Sequence, residues 1–368
     1  MPAYIQQSYF HAACGTSQAL NFNSDNFDTA NTSTGQSCHY YFMAGRPSSV
    51  ELDELIQQIS TAVESVLSAA NFSSEQRQNT ALLIGSTSLD IGAVPHNNQQ
   101  SIWLNTIDYL SKMVQQNCKL NEFHLVFNTA CTASFNAVIT AEKLITSGKF
   151  QHVVVVGCEF YNQLTLDGFS SLDLISKLAV QSFLPERDGL ILGEGVAALL
   201  IGEQAPNRAQ QIKVHRGASG CDLYSLTMTD EQGTHISQII RQAIQLAKIE
   251  ATQVELFKAH ATATENNDLA EAAAIENCFA VAPPVWALKP FTGHTLGACG
   301  ALELAIMDAL LQQNEPIPTH TTSDTPSIVR LIAPNQYLTD YKYILLNHCG
   351  FGGNNAAMVA EIMSTEQS

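Results

Sequence analysis

Residues 123–148 read FHLVFNTACTASFNAVITAEKLITSG. The apolar run HLVFN gives way to small and hydroxylated residues. A helical pattern follows, with Phe135, Val138, Ile139 and Ile145 on one face and Gly148 at its end. This predicts a buried strand, a tight turn and a helix. The competing reading is a membrane span, because Phe123 to Ala141 holds no charged residue and is nearly long enough to cross a bilayer. Asn128, Thr129, Thr132, Ser134 and Asn136 are each costly in hydrocarbon, so the strand–turn–helix fits better. Outward from this segment the pattern recurs. ALLIGS (81–86), HVVVVG (152–157) and VELFKA (254–259) read as buried strands, and helical periodicity lies near 51–70, 235–248, 268–277 and 295–313. Alternating signals of this kind predict an α/β architecture with helix-covered sheets. Residues 19–49 are the poorest in periodicity and read as a surface excursion.

The 368 residues carry 17 Lys+Arg against 34 Asp+Glu, a formal charge of −17, and 45% hydrophobic residues. That length supports several domains or one duplicated unit. With 14% charged residues and mean hydropathy of +0.01, neither disorder nor a membrane protein is indicated. A pI near 4.9 argues against nucleic-acid or anionic-lipid partners. The opening MPAYIQQSYF shows no secretory signal, and nine scattered cysteines with no C-x-x-C pair suggest reduced cytoplasmic thiols without a zinc site or disulfide framework. A weak internal echo of strand, small-residue turn and helix places a division near residue 205, giving halves 1–205 and 206–368.

Four motifs hold potential chemistry. Asn128-Thr129-Ala130-Cys131-Thr132-Ala133-Ser134 delivers a thiol to a helix start, where unpaired N–H groups and the dipole favour thiolate. Alone, Cys131 is as readily a core cysteine. His260-Ala261-Thr262-Ala263-Thr264 follows a buried strand, with Asp268 and Glu271 on one helical face beyond it. Lys289-Pro290-Phe291-Thr292-Gly293-His294-Thr295 puts an imidazole at the start of a small-residue helix, although a plain capping turn would look similar. Asn347-His348-Cys349-Gly350-Phe351-Gly352-Gly353-Asn354-Asn355 is a glycine-rich turn, either structural or aimed at an oxyanion.

Taken in order, these motifs resemble those of the β-ketoacyl-acyl carrier protein synthases, the elongating Cys-His-His class of the thiolase superfamily. The segment from Phe183 through Arg187-Asp188-Gly189 to Gly193-Glu194-Gly195 is similar to a further signature of that family. The resemblance implies a thiolase-like fold, two βαβαβ-type halves in an αβαβα layering. It implies that Cys131 takes an acyl chain from a carrier-protein thioester. His260 and His294 would stabilise the enolate formed as malonyl carrier protein loses CO₂. The N–H groups of Cys131 and Phe351 would form an oxyanion hole, with the Phe351 ring as a gate and Gly350 and Gly352 shaping the turn. Lys289 would join a buried ion-pair network with Glu271 and Asp268, and Thr262 and Thr264 would hold the phosphopantetheine arm. No metal, nicotinamide or flavin is implied; the prosthetic group belongs to the acyl carrier protein. A homodimer, or a heterodimer with a second ketosynthase-like subunit, is the family expectation; Phe160, Leu164 and Phe169 lie in the sequence neighbourhood of the tunnel floor and read equally as ordinary core.

Departures accompany the resemblance. Ala261 stands where the family usually has Gly, Leu184 replaces an Asp, and the usual Val/Ile-rich opening strand with its G-x-G turn is not legible. Arg208, Lys213 and Arg216 form the one obvious basic cluster for docking an acidic carrier. These features suit an alternative role as a chain-length-factor-like subunit, and the H-x-T-A-T-x-x-N-D string is similar to ketosynthase-type proteins of aryl polyene pathways. Cys349 suggests a thiolase, but thiolases usually have Gly-His-Pro where this chain has Gly293-His294-Thr295.

Overall fold

The computed structural model describes residues 1–44, 51–91, 108–225, 228–322 and 325–365. Its main sheet runs, edge to edge, through His124–Phe127, Thr80–Gly85, His152–Glu159, Gly195–Gly202, Ala3–Ala12, Gln210–Val214, Asn354–Ser364, Tyr343–Cys349, Leu256–Lys258 and Val285–Trp286. Directions mirror each other about the middle. The three strands at either edge are parallel, and the inner ones are antiparallel.

Period-two alternation builds the layers. Val153 and Val155 enter one apolar cluster while Val154, Val156 and Cys158 enter another; Leu199 and Ile201 oppose Ala198 and Leu200 in the same way. Buried on both faces, these strands read as unbroken apolar runs. The first outer face is covered by Leu52–Ala69 and Tyr109–Asn117, and the far outer face by Thr234–Ala247 and Glu265–Cys278. Between the inner faces lie Ala133–Thr146 and Cys299–Gln313. The result is the expected αβαβα layering. Helix position follows pattern: Ile236, Ile239, Ile240, Ala243, Ile244 and Ala247 make one stripe on an outer helix, whereas every residue from Cys299 to Leu311 is buried in the middle layer. Among the described residues no helix is long and apolar enough to cross a membrane, and Phe123–Ala141 forms the strand, turn and helix that its polar residues required.

Two readings change. A long opening strand, Ala3–Ala12, is present and sits at the middle of the sheet. A bulge between Ile5 and Gln7 shifts its register, so the alternation that marks a strand in sequence is broken. Within 19–49, of which 45–49 lie outside the described residues, the segment is not simply a surface excursion. Asp28–Asn31 and Ser37–Tyr41 pair in a small second sheet, and Tyr41 is fully buried with its hydroxyl donating to the Pro290 carbonyl at 2.8 Å.

The two middle helices approach closely because Gly300 has no side chain; a Cβ there would overlap the backbone of Phe135. Gly300→Ala is therefore expected to lower stability by about 1–3 kcal/mol, as overpacking does, read from the urea midpoint.

Candidate active site

The strand His124–Phe127 ends with Asn128 donating from Nδ2 to the Thr87 carbonyl at 3.0 Å. Ala130 then turns through φ +51°, and Cys131 sits in a single 3₁₀ turn, Ala130–Thr132, immediately ahead of the helix Ala133–Thr146. Thr132 and Asn136 both donate to Asn354 Oδ1, at 2.6 and 2.9 Å, tying this turn to the glycine-rich turn after Tyr343–Cys349. The Phe351 N–H is thereby directed at the Cys131 sulfur. Its ring stacks on Phe169, with centroids 5.5 Å apart.

His294 is held from both sides: its N–H donates to Ile191 at 2.7 Å and its carbonyl accepts from Gly193 at 3.0 Å. This puts Nε2 at 3.1 Å from Cys131 Sγ. The His260 ring lies 5.1 Å from that of His294, edge to face. Cys131, His260 and His294, distant in sequence, therefore meet at the end of one cleft of about 580 Å³, which Thr262, Thr264, Cys349 and Gly350 also line. Gly352 does not join them. It is exposed at φ +80°, and Gly353 takes the lining position.

Electrostatics differ from the sequence expectation. Burial pushes the Cys131 thiol up to about 12, beyond what Lys289 and the Phe351 N–H offset. The resting nucleophile is thus a thiol with an imidazole in hydrogen-bond reach. Burial first, and then the nearby ammonium of Lys289, hold both His260 and His294 well below the usual imidazole range, so both are neutral at pH 7. Lys289 Nζ lies 3.4 Å from His260 Nδ1. An ammonium can only donate there, so the His260 hydrogen resides on Nε2.

The ionic partner of Lys289 is Glu303, at 3.2 Å, rather than Glu271 or Asp268. Those two carboxylates face the backbone instead. Glu271 accepts the N–H groups of His260 and Ala261 at 2.8 and 2.7 Å; Asp268 accepts those of Phe183 and Ala263 at 2.6 and 3.2 Å. The reason is backbone strain. Ala261 and Ala263 occupy left-handed φ of +56° and +63°, which costs an L-residue roughly 1–2 kcal/mol each, and the carboxylates pin the turn that presents His260.

Several participants were not legible as such. Lys258 is fully buried and paired with Glu303, and His348 Nε2 is 3.3 Å from the same carboxylate. Cys299 donates its S–H to the Cys131 carbonyl at 3.0 Å. Glu159 accepts N–H groups of Thr87, Ser88 and Gly297 at 2.9, 2.9 and 3.1 Å, bracing the loops beside the nucleophile. The available signal was a charged residue inside an apolar window, as in VELFKA and ALELAIM. Of the tunnel-floor candidates, Phe160 is buried, Phe169 lines the cleft and Leu164 is 62% exposed.

Replacing Glu303 with Leu would remove the carboxylate that buried Lys258 and Lys289 share, so stability should fall by about 3–5 kcal/mol; adding Lys258→Met should recover part of it in the same denaturation assay. Ala261→Gly should raise stability by about 0.5–1 kcal/mol, the relieved strain less the entropy of glycine in the unfolded chain.

Comparison with known proteins agrees with this geometry. The N-terminal domain of beta-ketoacyl synthases matches residues 24–207, half of the chain, and the C-terminal domain matches 212–322. A 3-oxoacyl-[acyl-carrier-protein] synthase 2 of Staphylococcus aureus (strain COL) is 32% identical over 248 residues, 63% of this chain and 59% of the relative. The chain thus spans about three fifths of the length of that curated relative. The ketosynthase ApeO in complex with its chain length factor ApeC, from Xenorhabdus doucetiae, superposes with a TM-score of 0.78 at 20% identity over 98% of both chains. AntDE:AntF, a type II PKS acyl-carrier protein in complex with its ketosynthase bound to the hexaketide, gives 0.81 at 17% identity, over 98% of this chain and 99% of the other. The fold is that of these ketosynthases, and by the two family matches the chain belongs to the β-ketoacyl synthase family.

Proposed function

We propose that this chain is a β-ketoacyl-acyl carrier protein synthase, an acyltransferase that lengthens a Cys131-bound acyl chain by two carbons. The observation that carries the reading is the convergence of Cys131, with His294 Nε2 at 3.1 Å, and neutral His260 at the end of one cleft. His294 is placed to accept the thiol proton as sulfur attacks the carrier-protein thioester. The N–H groups of Cys131 and Phe351 receive the oxyanion, and the carrier's phosphopantetheine thiol leaves with a proton. Malonyl carrier protein then enters past Thr262 and Thr264. Its carboxylate departs as CO₂, and His260 through Nε2–H, with His294 once its hydrogen has moved from Nδ1 to Nε2, donates a hydrogen bond to the enolate oxygen. The enolate carbon attacks the Cys131 thioester, the C–S bond breaks to leave the β-ketoacyl product on the carrier, and the Cys131 thiolate takes up a proton from water to restore the thiol. Neutral donors suit this step, because negative charge develops only as CO₂ leaves.

Partners follow from the same reading: an acyl carrier protein, and a dimer with a second copy or a second ketosynthase-like subunit. The nine unpaired cysteines fit the reducing cytoplasm. A thiolase-type second nucleophile is disfavoured, since His294 Nε2 lies beside the Cys131 sulfur, whereas the Cys349 sulfur accepts from the Asn347 amide at 3.5 Å.

Intact-mass spectrometry tests the reading. Incubated with medium-chain acyl carrier protein, the purified chain should gain an acyl adduct that malonyl carrier protein chases to a β-ketoacyl product. Cys131→Ala should abolish both steps, and His294→Ala should cut condensation about 10²–10³-fold while some self-acylation persists. An adduct on a co-purifying ketosynthase alone would instead assign the chain to a tunnel-shaping role in that pathway.

A further inference from the structure

The cleft that ends at Cys131 opens through a rim of unusual composition. Leu172 and Met228 line it and are 50% and 53% exposed. Leu223, 92% exposed, stands in the adjoining loop. Two described residues there are bound to the site itself: Asp222 N–H donates to the Gly353 carbonyl at 2.8 Å, and Thr229 N–H donates to Asn266 Oδ1 at 2.9 Å. The charges on the same rim are acidic. Asp173, Asp188, Glu231 and Glu265 line the cleft and are exposed, against Arg187 alone among its lysines and arginines.

Arg187 does not offset them at the surface. Its side chain is 8% exposed, lies 4.0 Å from buried Asp268, and donates to the Leu184 carbonyl at 2.8 Å. Lys177 is the neighbouring exposed cation, and its N–H reaches Asp188 Oδ2 at 3.2 Å. Two of the three basic residues clustered in the sequence are also engaged elsewhere. Arg208 pairs with Asp308 at 2.6 Å and Lys213 with Glu361 at 2.9 Å. A chain of formal charge −17 therefore presents an apolar, negative collar around the entrance to its nucleophile.

We propose that this collar is the docking surface for a carrier domain whose face around the acyl-bearing arm is apolar and neutral to basic. The inference rests on the condensing-enzyme reading, since it is that reading which brings an acyl carrier to the cleft. An acidic face would meet like charge at each approach, slowing encounter and disfavouring the docked state. An apolar face with a few lysines would cover Leu172, Leu223 and Met228 and meet Asp173 and Glu231 with opposite charge.

The test uses the full chain and two fluorescently labelled carrier domains. One is an acidic carrier; the other is the same carrier with its docking-face carboxylates changed to lysine. Anisotropy titrations at about 20 mM and about 300 mM NaCl bracket strong and weak screening. The lysine-faced carrier should bind about tenfold more tightly at low salt, with the gap closing at high salt. A double Asp173→Lys, Glu231→Lys variant should narrow the gap at low salt. Tighter binding of the acidic carrier, weakened by salt, would overturn the inference, as would no binding of either carrier or a preference unmoved by the double variant. Acylation of Cys131 by a small acyl-pantetheine is followed separately by intact mass. Its failure counts against the condensing reaction, while the order of carrier affinities still decides the surface.

Discussion

Glu303 lies in the middle helix layer, buried between the side-chain nitrogens of Lys258 and Lys289 and within reach of His348. A carboxylate in that position is buried at the cost of its hydration, and the three basic side chains around it offset that cost. Lys289 is thereby fixed beside His260 Nδ1, which sets the tautomer of that imidazole and, with burial, keeps it neutral. The chemistry of the cleft depends on this charge balance, because an imidazolium at His260 would bind the malonyl carboxylate as readily as it would the later enolate.

Around that balance the backbone is held in conformations it would not choose. Ala130, Ala261, Ala263 and Leu296 all have positive φ, and all lie within three residues of a proposed catalytic side chain. The buried carboxylates Glu271 and Asp268 secure the His260 turn, and Glu159 ties the N–H of Gly297 to the Thr87–Ser88 loop. Each acid residue accepts peptide N–H groups, and the cation beside Asp268 is Arg187, at 4.0 Å, rather than Lys289. This explains why reading Glu271 and Asp268 as partners of Lys289 failed: charge was the right criterion for their burial but the wrong one for their contacts.

Local periodicity and motif chemistry made much of this molecule legible in its sequence. Strands such as HVVVVG and the strand–turn–helix at Cys131 are apolar on the scale of a single element, so their burial is readable without a partner. The thiol, both imidazoles, Lys289 and the glycine-rich turn likewise sit in short segments with their own turn signals. What was not legible depends on register and long-range packing. The opening strand is masked by its bulge, and Lys258 and Glu303 are single charges in apolar segments whose meaning appears only when both face one point.

The chain alone therefore established the class of fold and the identity of its reactive groups, because both are written in patterns a few residues long. Tertiary packing decided which carboxylate meets which cation, that Gly353 rather than Gly352 lines the cleft, that Cys131 rests as a thiol, and that the cleft mouth is acidic. Those outcomes turn on desolvation and on distances between segments far apart in the chain, 222 residues for Thr132 and Asn354, and neither quantity exists until the layers have closed.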